Sequence, residues 1–172
     1  MSSAGSRPIA VAEFDAAPPS DAAAELVPCC SSKRWVANVV KARPYRTLDR
    51  LTTASDATLA RLSWEDIAEA LAGHPRIGDG GPTATREAAW SPQHQRGTVD
   101  VEQRTRERLG RANLAYEERF GHVFLICATG LSADELLNSL KSRLHNDPVA
   151  EREVVRSELA KIVRLRLAKA FR

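Results

Sequence analysis

Aromatic side chains make up only 5% of the 172 residues, while Ala, Leu, Arg and Glu are abundant. That balance favours helices over sheets. Cysteine is scarcer still, with Cys29, Cys30 and Cys127 the only three. The count is odd, a vicinal pair bridges only with strain, and no C-x-x-C spacing occurs, which argues against a disulfide framework and against a zinc or dithiol redox site. Reduced thiols in a cytoplasmic protein are the simplest account. No apolar run approaches the ~20 residues of a membrane-spanning helix, and the first residues lack the apolar core of a signal peptide. The sequence therefore points to neither a membrane nor the exterior. Charge of a single sign is also missing: 25 basic residues are interleaved with 22 acidic ones, for a net +3. Without a basic stripe, nucleic-acid binding is not expected, although the small excess suits a small anionic ligand.

What is present fits one globular domain, long enough to need no metal or disulfide staple. Residues 1–10 read as a flexible tail and 11–171 as an all-α, multi-helix bundle domain. Helical apolar spacing from Val11 to Leu26 is interrupted by Pro18 and Pro19, which predicts two short helices, the second from near Ser20. Ser31 and Ser32 cap a helix with Trp35, Val36, Val39 and Val40 on one stripe, ending at Arg43. Thr47 opens the next, with Leu48, Leu51 and Leu59. Ser63-Trp64-Glu65-Asp66 resembles a capping box with aspartate in place of glutamate. A long polar helix is expected from about Val101 to Arg119, weakened at Gly110 and stopped by Gly121. Val123 to Ala128 is one short extended apolar segment, strand-like or simply buried chain. Ser132 to Glu135 opens a helix to about His145, and the final helix runs from about Pro148 to Phe171.

Two places stand out chemically. Gly73 to Pro82 holds four of the nine glycines and two of the nine prolines, a loop shaped to present side chains. Pro75 disfavours helical backbone at His74 and ends the preceding helix there. His74 is then either a proton-transfer group facing a cavity or a simple helix C-terminal cap. In the last helix, a 100° advance per residue puts Arg166 inside the stripe of Val155, Leu159, Ile162 and Val163. A guanidinium there is half of a buried ion pair, a substrate anchor, or a long side chain snorkelling out. Between them, Ser91-Pro92 starts a helix whose first turn offers free N–H groups to an anion. His122 and His145 read as ordinary residues at helix ends, and Cys127 as packing rather than nucleophile.

Taken together, the string His74 to Asp79, Trp90-Ser91-x-x-x-Gln95, Asn113-x-x-Tyr116-Glu117-x-Arg119-Phe120-Gly121 followed by Phe124 to Ala128, and Lys161-Ile162-x-x-Leu165-Arg166-Leu167 resemble one family. It is the OHCU (2-oxo-4-hydroxy-4-carboxy-5-ureidoimidazoline) decarboxylase family, and the resemblance extends from about Val11 to Phe171. It implies an all-helical homodimer that needs neither metal nor organic cofactor and converts a small anionic ureidoimidazoline into (S)-allantoin and carbon dioxide in urate degradation. Position by position, His74 matches the catalytic histidine and Pro75 its neighbour. Ser91 and Gln95 match substrate contacts, Phe124, Leu125, Ile126, Cys127 and Ala128 match the segment along the substrate, and Arg166 matches the arginine that meets it.

The pattern departs at His94, where the family carries a glutamate thought to work with the histidine. Imidazole is donor and acceptor at once and can become cationic, so His74 loses a carboxylate that would favour its protonated form. Either His94 substitutes for the glutamate, or the chain acts on another ureido or imidazoline substrate. A non-catalytic helical scaffold is the third possibility.

Overall fold

The computed structural model describes residues 7–78 and 98–172, with side chains from residue 103 onward in the second stretch. These residues form eight helices: α1 Val11–Ala16, α2 Pro19–Leu26, α3 Lys33–Lys41, α4 Leu48–Arg61, α5 Trp64–Ala72, α6 Thr98–Phe120, α7 Ala133–Arg143 and α8 Pro148–Ala170. The all-α expectation holds. Strand-type pairing among the described residues is limited to an isolated parallel bridge between Ile9 and Phe171. Ile9, assigned to the tail from sequence, is therefore part of the folded chain. Residues 123–128 form neither helix nor strand.

Local chemistry sets the helix boundaries. The Ser32 hydroxyl accepts from Trp35 N and the Thr47 hydroxyl from Arg50 N, each satisfying a first-turn donor. Ser63 and Asp66 do reciprocate: Asp66 N donates to Ser63 Oγ at 3.2 Å and Ser63 N to Asp66 Oδ2 at 3.3 Å. Ser132 and Glu135 form the full capping box of α7. α2 starts at Pro19, slightly before the expected Ser20, because proline is pre-shaped for the first helical position. α3 stops at Lys41, short of Arg43. The Arg43 side chain instead turns back on the helix ends, donating to Val40 O at 3.0 Å, Phe14 O at 2.6 Å and Ala17 O at 2.8 Å. α6 runs through Gly110 without a break and ends where Gly121 takes φ +76°, a left-handed turn that suits glycine.

The described residues group into two compact units, one within Met1–Ala70 together with Leu159–Arg172 and one within Leu71–Glu158. In the first, Phe14, Trp35, Leu51, Leu59, Leu167 and Phe171 are fully buried. The Trp35 indole donates to Ser55 Oγ at 3.2 Å, so its polar edge is satisfied inside the core. The second unit is centred on Leu109, Tyr116, Phe124, Leu137 and Leu140, where α6 packs on α7.

Candidate active site

The His74 loop is seated on α6. His74 N closes the end of α5 by donating to Leu71 O at 2.9 Å, and its side chain is half-buried. Beyond Pro75, the Arg76 guanidinium engages Glu117 with two parallel bonds, Nε to Oε1 at 2.6 Å and Nη2 to Oε2. The buried Asn113 amide donates to Ile77 O at 2.8 Å. Gly78 then turns at φ +97°, and an added Cβ would lie 3.4 Å from Leu109 Cδ2. Asn113 and Glu117 are four apart and share one helix face. That face fixes consecutive residues of the loop just past His74.

Residues 123–128 have no ladder or helix to satisfy their backbone, and in the middle of the segment charged side chains supply partners. Arg143 Nη1 donates to Leu125 O at 2.7 Å, and Cys127 N donates to Glu158 Oε2 at 2.8 Å. Phe124 and Leu125 are buried, while Ile126, Cys127 and Ala128 are half-buried. The Arg143 guanidinium lies 4.4 Å from the Phe124 ring centroid, within cation–π range.

Arg143 belongs to a buried polar hub. Its Nε and Nη2 donate to Glu151 Oε1 at 2.8 and 2.6 Å, the Tyr116 hydroxyl donates to the same oxygen, and Asn146 Nδ2 donates to Oε2 at 2.8 Å. Glu151 is fully buried and Arg143 8% exposed. A carboxylate so placed is tolerable only because both oxygens are hydrogen-bonded and a cation faces it. Burial pushes the Tyr116 phenol far above its ordinary value, and the bond to Glu151 raises it further. Tyr116 also packs edge-on against Phe124 at 5.2 Å. Thus Asn113, Tyr116 and Glu117 of α6 secure both the His74 loop and the 123–128 segment, and Ile77 and Ile126 pack against the same apolar cluster.

Arg166 lies in the other unit and is half-buried. Its Nη1 donates to Cys29 O at 3.3 Å, and no carboxylate pairs with it among the described residues. The buried Cys29 and Cys30 thiols are each pushed up to about 11, chiefly by burial, with the Arg166 charge pulling the other way. They stay protonated at neutral pH.

A family model described as OHCU decarboxylase matches residues 15–168. The chain belongs to the OHCU decarboxylase family. It is 30% identical over 146 residues to the uric acid degradation bifunctional protein TTL of Arabidopsis thaliana, covering 83% of this chain and 45% of that protein. Against the 2-oxo-4-hydroxy-4-carboxy-5-ureidoimidazoline decarboxylase of Amia calva the identity is 40% over 75 residues, covering 44% of this chain and 43% of that one. The chain thus spans less than half the length of these two relatives. The protein of the same name from Haloferax volcanii is 26% identical over 138 residues, with 80% and 81% covered.

Among solved structures, the fold matches a crystal structure of OHCU decarboxylase in the presence of (S)-allantoin with TM-score 0.72 and 28% identity, covering 84% of this chain and 95% of that one. A crystal structure of (S)-allantoin synthase matches with TM-score 0.68 at 19% identity, over 95% of this chain and 54% of that one, a likeness of fold.

Ser91, His94 and Gln95 lie outside the described residues, as does the helix start expected at Ser91-Pro92. Sequence reasoning missed Arg143, Glu151 and Glu158. One signal was available: Glu151 sits four residues before Val155, on the same α8 stripe that drew attention to Arg166. Among the described residues, no group of three or more His, Cys, Asp or Glu side chains is gathered for a metal, and no helix is long and apolar enough to cross a membrane.

Proposed function

We propose that the protein decarboxylates 2-oxo-4-hydroxy-4-carboxy-5-ureidoimidazoline to (S)-allantoin and carbon dioxide, without metal or organic cofactor. The observation that carries this reading is the family match over residues 15–168, which includes His74, the 123–128 segment and Arg166 in order. In this reading His74 is the acid/base, Arg166 the orienting cation, and Ser91 and Gln95 hold the ureido and ring polar atoms. Pro75 stands beside the histidine, and Phe124 to Ala128 lie along the substrate. The protein works as a homodimer in the cytoplasm.

The reaction asks three things of the site. The leaving carboxylate must stand out of conjugation with the ring, the electron pair left on the ring carbon must be stabilised, and a proton must reach one face of that carbon. Cleavage of the carbon–carbon bond sends carbon dioxide away and leaves that pair behind; His74 delivers the proton that quenches it. An arginine whose hydrogen bond among the described residues is to one carbonyl keeps further donors for an anionic or carbonyl oxygen. That is the support for Arg166 as anchor.

His94 at the family's glutamate position favours a second reading, a relative acting on another ureido or imidazoline substrate. One experiment separates them. The unstable substrate is generated in place with urate oxidase and hydroxyisourate hydrolase, and allantoin is followed by circular dichroism with and without the protein. A rapid optically active signal supports decarboxylation; a signal no faster than the blank favours the altered substrate. Wild-type turnover lost by ~10²-fold or more in folded His74→Ala is the expected signature of an acid/base. His94→Glu should lower activity if the imidazole is a working substitute, and raise it if the site has drifted.

A further inference from the structure

We infer that Glu158 is a positioning residue for this reaction, fixing the peptide plane of Cys127 so that residues 125–127 present a set backbone to the substrate. The inference rests on the function proposed above. Segment 123–128 has neither helical nor sheet partners; its ends meet near neighbours, with His122 Nδ1 3.0 Å from Val123 O and Leu131 N donating to Ala128 O at 3.1 Å, while residues 125–127 between them are held by side-chain bonds from α7 and α8. Two such bonds are placed two residues apart and come from charged groups: Arg143 Nη1 holds Leu125 O at 2.7 Å and Glu158 Oε2 holds Cys127 N at 2.8 Å. A cation takes the carbonyl and an anion takes the N–H, the arrangement in which charge strengthens each bond. The two anchors differ in what else they do. Arg143 is committed to the Glu151 hub and to the core, so its loss would disturb the fold generally. Glu158 is half-buried on α8, one residue before the fully buried Leu159, and is not one of the groups that hydrogen-bond Glu151. It is therefore the place where the segment's backbone can be perturbed with the core left standing.

The test uses the full chain and the coupled allantoin assay with Glu158→Leu, Glu158→Gln and Glu158→Asp. Leucine removes the acceptor, glutamine keeps a neutral one of the same length, and aspartate keeps the charge but retracts it by one methylene. Misplacing a group in the site by about 1 Å can cost on the order of 10²-fold. Glu158→Leu should accordingly lose about 10- to 100-fold in kcat with KM changed by less than about threefold, and Glu158→Gln should recover to within about fivefold of wild type. By NMR, the Cys127 amide proton should exchange with solvent faster in Glu158→Leu and remain slow in Glu158→Gln. Wild-type kcat in a folded Glu158→Leu overturns the inference and leaves the function standing. A wild-type chain without turnover overturns both. If leucine costs the fold, Glu158→Asp decides: a loss confined to kcat supports positioning, and unchanged kcat overturns it.

Discussion

Arg143 and Arg166 are guanidiniums on α7 and α8, and the regions around them differ in how many of their donors the described residues use. Around Arg143, three nitrogens donate to Glu151 and to Leu125 O, Tyr116 and Asn146 complete the carboxylate, and an aromatic ring covers one face. Around Arg166, one bond of 3.3 Å reaches a backbone carbonyl and no carboxylate answers the charge among the described residues. A saturated buried cation is a piece of architecture. An unsaturated one has capacity left for a ligand, and that is why Arg143 is read as part of the fold and Arg166 is proposed as the substrate's anchor.

The sharpest way to break the comparison is to remove the carboxylate from the saturated side. Glu151→Leu leaves Arg143 buried without its counter-charge and should cost about 3–5 kcal/mol in urea unfolding. Restoring a shape-matched apolar partner with Arg143→Met in the same chain should recover much of that loss, since the penalty is for the orphaned charge. On the unsaturated side the expected order reverses. Arg166→Leu should leave the unfolding midpoint nearly unchanged and lower kcat/KM by about 10- to 150-fold, the loss of a hydrogen bond to a charged group worth about 1.5–3 kcal/mol. If Arg166→Leu unfolds the chain instead, the two regions are alike and the anchor role falls.

The third prediction concerns pH. The folded phenol of Tyr116 is held protonated well above its ordinary value by burial and then by Glu151. The unfolded chain ionises it near pH 10, roughly its ordinary value. Its contribution is therefore fully present below about pH 10 and is lost as pH rises beyond that, because only the unfolded state releases the proton. Urea midpoints at pH 8 and 10.5 should fall further for wild type than for Tyr116→Phe. The smallest stability effect belongs to the solvent-facing clamp on the His74 loop. With side chains 43% and 20% exposed, Arg76 and Glu117 form a pair worth about 1 kcal/mol or less. Glu117→Gln should thus barely move the melting temperature while reducing turnover several-fold, through a less constrained His74.

What could be read from sequence tracks how locally each feature is determined. Ser32, Thr47, the Ser63–Asp66 pair and the Ser132–Glu135 box announced their helices because cap and partner lie within three residues. The end of α5 and the loop after it were legible through the glycines and prolines around His74. Its supports were not: Arg76 meets Glu117 and Ile77 meets Asn113 across 41 and 36 positions, and no spacing rule links such pairs. The Arg143 hub is similar, with Tyr116 and Glu151 35 positions apart. The stripe argument that found Arg166 left open whether it was an ion-pair partner or an anchor, because one helix says where a side chain points but not what stands opposite.

The bridge between Ile9 and Phe171 has a consequence for biosynthesis. Ile9 N donates to Ala170 O at 3.0 Å, Val11 N to Arg172 O at 3.1 Å and Arg172 N to Ile9 O at 2.9 Å, while the Phe14 and Phe171 rings meet edge to face at 5.0 Å. A ribosome releases α1 long before it makes residues 170–172. Contacts this far apart in sequence carry a large closure entropy and form late. α1 thus waits for residues 170–172 before its contacts are complete, and the side of Phe14 that Phe171 covers stays open until then. A chain stalled before residue 170 would display that apolar surface to chaperones and to other nascent chains.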